Sequence, residues 1–203
     1  TSAILVDVST EDQYIEILNG SSMIEYAIVN EESYTVDPIS FSVLGDVPDG
    51  HIAYFNVLYD SGEGEQWNSN FSIEISATDF QVLNPVLIDE DQNGVLDPGE
   101  SALLTVDLAN LGSASFGWYP GAFIVSNSEY IEVDMDSTAW FYGIDPEMTY
   151  EWTFSLQAAS DTPLGATGTI SIFWGASDLS TNWCDQMING CPDPVEFIYT
   201  ISI

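Results

Sequence analysis

The sequence predicts an all-β protein of two antiparallel β-sandwiches in tandem, the first lacking its opening strands. Three observations carry this. Helical periodicity is almost absent, and the apolar residues instead alternate or come in short runs rich in Val, Ile, Thr and aromatics. Turn signals such as PDG, SGEG, NGV, DPG and PLG separate these runs at roughly 8 to 12 residues, the rhythm of a sandwich. Finally, the chain repeats itself. Tyr14-Ile15-Glu16-Ile17 returns as Tyr130-Ile131-Glu132-Val133, and Phe41-Ser42-Val43 as Phe154-Ser155-Leu156. Pro48-Asp49-Gly50 returns as Pro163-Leu164-Gly165, and Phe71-Ser72-Ile73 roughly as Phe197-Ile198-Tyr199.

Taken in order, the runs YIEILN, SMIEYAIV, ISFSVL, HIAYFNVLY and FSIEIS form the strands of a first module. LLTVDLANL, TGTISIFW and FIYTISI belong to a second. DFQVLNP reads as the link, which places the domains at 1–82 and 83–203. The second copy has a long stretch before its YIEV, whereas the first has only a short one before its YIEI. A sandwich short of strands leaves an open edge that invites a strand from another chain. The alternating ends TSAILVDVS and PVEFIYTISI are the candidate donors. Two bland alternatives stay open: a smaller first sandwich, or strands supplied by sequence outside this chain.

The 203 residues contain 33 Asp and Glu but no Lys or Arg, a formal charge of −33, while 45% apolar content is enough for folded cores. Three physical explanations of the missing cations stay open: adaptation to high salt, exposure to a protease that cuts after Lys or Arg, or a chain that begins after such a cut. With no cationic side chain to neutralise phosphates, nucleic acid and anionic membranes are excluded as partners. No run approaches the 18 apolar residues of a membrane span, and the N-terminus lacks the basic flank of a signal peptide, so the chain reads as a mature product.

Residues 89–100, DEDQNGVLDPGE, place oxygen ligands where a twelve-residue calcium loop needs them. These are Asp89, Asp91, Asn93, Val95 through its carbonyl, Asp97 and a bidentate Glu100, around a turn at Gly94. Leu96 supplies the apolar anchor. Pro98-Gly99 forbids a helix after the loop, and the flanks LNPVLI and SALLTVDLANL read as strands, so the expected Ca²⁺ braces strands and is structural rather than a switch. The competing reading is a plain acidic turn.

The run NGVLDPGESALLTVDLANLGSAS with its later N-x-G, followed by SNSEYIEV and WTFSLQAASDTPLG, resembles the immunoglobulin-like modules of cell-surface proteins of Bacteroidetes-type bacteria. One such module follows gingipain-type cysteine peptidase domains. STEDQYIEI, FSVLGDVPDGHIAYFNVLY and QWNSNFSIEI look like the latter part of the same module. The resemblance implies an extracellular, often calcium-bound sandwich exported by the type IX route, and no activity.

Other chemistry is thin. Cys184 and Cys191 flank a turn-like DQMING, which suits a local disulfide, with free thiols as the alternative. His51, the single histidine, reads as a surface or edge residue rather than a catalytic base, so no catalytic residue is expected and the chain reads as non-enzymatic. Phe116-Gly117-Trp118-Tyr119 and Trp140-Phe141-Tyr142 read as packing first and as a glycan platform second. Short patterns mark Asn19, Asn70, Ser137 and Thr162 for glycosylation. The expected protein is a homopolymerising subunit of an extracellular filament or surface fibre, built by strand exchange and stiffened by calcium. The alternative is a stalk or glycan-binding adhesion module of a larger bacterial surface protein.

Overall fold

A computed structural model describes residues 3–25, 33–117, 120–176 and 195–203. The strands are β1 (Ile4–Ser9), β2 (Ile15–Asn19), β3 (Ser21–Ile24), β4 (Ser40–Val43), β5 (His51–Asp60), β6 (Gln66–Ile75) and β7 (Phe80–Asp89). Then follow β8 (Ser101–Asn110), β9 (Gly121–Ser126), β10 (Ile131–Val133), β11 (Ala139–Trp140), β12 (Thr149–Ala158), β13 (Thr167–Ala176) and β14 (Val195–Ser202). Among the described residues the helical content is one 3-10 turn, Met135–Ser137. The all-β expectation holds, and every strand pair is antiparallel.

The chain divides into unit 1, Thr1–Ile75, and unit 2, Ser76–Ile203. The division therefore falls before the expected 82/83 boundary. Phe80 and Val82, placed in the first domain by the sequence reading, are buried in the core of the second. The stretch read as a link is the first strand of unit 2. Its Asn-Pro pair, a turn signal in the sequence, is absorbed on an edge strand by a register shift between Leu83 and Val86, with Asn84 at φ 50°.

Unit 2 is a complete sandwich of two four-stranded sheets, β10-β12-β8-β7 and β11-β9-β13-β14. Alternation explains its core. Along β8, Ala102, Leu104, Val106 and Leu108 point inward, and Phe154 and Leu156 of β12 lie on the same face. Ile170, Ile172 and Trp174 of β13 close it from the other sheet. Trp174 is fully buried, donates its indole N–H to the Ala109 carbonyl at 2.8 Å, and meets the rings of Phe80 and Phe141 edge-on. Gly175, at φ 90° in a register irregularity, is required here because a Cβ would meet the Phe80 ring. The N-x-G motif also has a structural cause. Buried Asn110 accepts from the Asp79 and Gly112 amides and donates to the Ala114 and Asp145 carbonyls, pinning three loops at once.

Unit 1 repeats half of this plan. Its sheet β3-β1-β5-β6 has the same order and pairing as β11-β9-β13-β14. Its second sheet is β2-β4, matching β10-β12 alone. Among the described residues unit 1 has no counterpart of β7 and β8. The opening strands that the repeat predicted to be missing are thus a contiguous pair, and their place lies beside β4, as β8 lies beside β12.

Candidate calcium loop and an open strand site

The acidic loop joins β7 to β8. Asp89 ends β7 and Glu100 immediately precedes β8, so the hairpin itself sets their spacing. Carboxylate oxygens of Asp89, Asp91 and Glu100 lie within 4.8 Å of one another. Two oxygens on opposite sides of one Ca²⁺ stand about 4.6–5.2 Å apart, twice the usual bond length, so this spread fits a single ion. Backbone amides set the carboxylates in place. Gly94 and Val95 donate to Asp89, Glu90 and Asp91 to one oxygen of Glu100, and Asp97 to the other. Asp89 is only 4% exposed, and the chain has no Lys or Arg to offset its charge.

Among the carboxylates expected as ligands, Asp97 lies outside that cluster. Asn93 accepts from the Val95 amide and donates to Asp91, and Asp97 is exposed. Leu96 is fully buried, as the anchor role required, and its amide donates to the Ser202 carbonyl at 3.0 Å, tying the loop to β14. Gly94 takes φ 81° at the turn where glycine was expected.

The second site is the open flank of unit 1, which the sequence marked only as missing strands. The inner face of β6 carries Trp67, Phe71 and Ile75, opposite Tyr59, Phe55 and His51 of β5. Phe71 stacks on Phe55 at 4.8 Å, and Phe55 in turn meets Phe41 of β4 at 5.2 Å. Yet Phe71 is 43% and Trp67 49% exposed. In unit 2 the corresponding strand, β14, presents Phe197 against the core, with β7 in contact with both β13 and β14. The exposure in unit 1 follows from the absent layer. Neither expected donor is spare within this chain: β1, from TSAILVDVS, is the inner strand between β3 and β5, and β14, from PVEFIYTISI, pairs with β13 over eight residues.

His51 Nε2 lies 2.7 Å from Asp12 Oδ2 and the ring sits edge-on to Tyr14, which fits the edge-histidine reading. The Tyr14 amide, and then His51, hold the Asp12 carboxyl below the usual carboxylate range. The two aromatic clusters divide between packing and exposure among the described residues. Phe116 is core, Phe141 packs on Tyr150 and Trp152, Trp140 is exposed against Phe123, and Tyr142 is 87% exposed. Trp118, Tyr119, Cys184 and Cys191 lie outside the described residues. Of the marked glycosylation positions, Asn19 and Asn70 are exposed and Ser137 is half-buried. Thr162 is 5% exposed, with its hydroxyl bonded to the Ala159 carbonyl, and offers no accessible acceptor in the folded chain.

No helix among the described residues is long and apolar enough to cross a membrane. No protein-family model matches the chain, and no curated protein matches it. Among solved structures, trypsin-activated alpha-2-macroglobulin from Escherichia coli is similar over 98% of this chain and 15% of its own, at 13% identity and a TM-score of 0.40. The chain therefore spans a small part of that protein, and a similarity at this level carries no argument about what it does.

Proposed function

We propose that the chain is a structural, non-enzymatic subunit of an extracellular filament or surface fibre, in which unit 1 takes up β-structure from another chain and calcium stiffens unit 2. The observation that carries this is the half-built second sheet of unit 1. A two-stranded layer faces a four-stranded one, and Phe71 and Trp67 are left bare on what is otherwise the core face. Monomeric proteins rarely leave core-facing aromatics and an adjacent strand edge open together, and both are satisfied by added β-structure. The carboxylate cluster of the β7–β8 loop supports the same reading, because a divalent ion there would neutralise charges that no Lys or Arg in the chain offsets. The absence of Lys and Arg suits a surface exposed to trypsin-like proteases.

The second reading is a stalk or glycan-binding adhesion module, favoured by the exposed rings of Trp140 and Tyr142. Electron microscopy of the purified chain in millimolar calcium, with and without a chelator, separates the two. The filament reading expects fibres that loosen on chelation and are lost in Phe71→Asp. Isolated particles in every condition contradict it and return the stalk.

A further inference from the structure

Resting on the strand-uptake reading above, we infer that the element unit 1 receives is a β-hairpin of the β7–loop–β8 type carried by a second polypeptide, not a single strand. In unit 2, β12 has partners on both sides, β10 and β8, and β7 lies beyond β8 where it also reaches β13 and β14. Among the described residues of unit 1, β4 has β2 on one side only. One added strand in the place of β8 satisfies the free backbone groups of β4. It leaves uncovered the place that β7 occupies in unit 2, which is the place that lies over Phe71 and Trp67. Two strands are needed to close the layer, and in the template they are consecutive.

The chemistry of the occupant follows from the same template. Its first-entering strand needs apolar residues at every second position, as β8 has Ala102, Leu104, Val106 and Leu108, with polar residues such as Thr105 and Asp107 facing out. The surfaces it meets carry no charge: β4 reads SFSV, and the inner face of β6 presents Trp67, Ser69, Phe71, Ile73 and Ile75. On a chain of charge −33 this is a place where a second acidic chain can enter without setting carboxylate against carboxylate. A hairpin closed by a loop of the Asp89–Glu100 kind brings its own calcium site, so its uptake depends on calcium through the donor.

The test uses the full chain and two synthetic peptides, residues 80–110 for the hairpin and residues 101–110 for the single strand. Binding is read from the emission of Trp67, assigned by its loss in Trp67→Phe, a change at a half-exposed ring. The hairpin peptide is expected to bind at least tenfold more tightly than the single strand, to weaken at least tenfold without calcium, and to fail when it carries Leu104→Asp and Val106→Asp. Equal binding by the single strand, or no response of Trp67 to the hairpin, overturns the inference. Fibres that form while the hairpin neither binds nor competes leave the filament reading standing and remove this one. A hairpin that binds a chain that never forms fibres does the reverse.

Discussion

Chelating calcium is expected to lower the melting temperature of unit 2 by roughly 5–10 °C. An ion present at a hundred times its Kd stabilises the folded state by about 2.7 kcal/mol. At the usual conversion for a domain of this size, each kcal/mol moves the midpoint by roughly 2–4 °C or somewhat more. The effect of the ion is concentrated at Asp89, Asp91 and Glu100, whose carboxylate oxygens lie within 4.8 Å of one another. Without it their mutual repulsion at that range costs about 1–4 kcal/mol, depending on how far water screens them. Scanning calorimetry with and without chelator measures this. Asp89→Asn is expected to abolish the calcium response while leaving an oxygen to accept from Gly94 and Val95. A midpoint that ignores calcium in the parent chain shows that the loop is held by its amide hydrogen bonds alone.

Trp174→Ala is expected to destabilise unit 2 by about 3–5 kcal/mol, the range for removing a fully buried large aromatic side chain. The ring is enclosed by Phe80 and Phe141, and its N–H satisfies the Ala109 carbonyl across the sandwich. Truncation therefore leaves both a cavity and an unpaired carbonyl. Trp174→Phe keeps much of the packing and loses the hydrogen bond, so about 1–3 kcal/mol is expected. Urea unfolding monitored by circular dichroism gives both values, and similar losses for the two variants would show that packing contributes little there.

The fold was legible in the sequence where the pattern had a single cause. Alternation in HIAYFNVLYD and SALLTVDLAN follows directly from one buried face, and the repeat of YIEI and FSV located matching strands β2 with β10 and β4 with β12. The shortfall of the first module was legible from the same repeat, because a missing hairpin shortens the chain before YIEI. The acidic loop was legible as spacing, and the structure brings the carboxylates of Asp89, Asp91 and Glu100 together, with Asp97 outside the cluster. Other features depend on contacts that no local pattern records. β7 was legible only in part: LNPVLI reads as a strand, but its beginning was taken as the link, because Asn84-Pro85 signals a turn that only an edge strand with a bulge tolerates. The side-chain hydrogen bonds of Asn110 join its own turn, at Gly112 and Ala114, to Asp79 and Asp145, which are more than 30 residues away in the chain. That Phe71 is bare while Phe197 is packed is decided by the presence of a neighbouring layer, since both sit in similar apolar strands.

Completion of the half-built sandwich of unit 1 by another chain is proposed above, and amide hydrogen exchange along β4 is its sharpest test. Among the described residues Ser40 to Val43 pair on one side only, with β2, so in the isolated chain their outward amides are expected to exchange rapidly. In assembled material the account predicts that these amides become protected, together with burial of Trp67 and Phe71. Assembled material in which β4 exchanges as fast as in the monomer would contradict it.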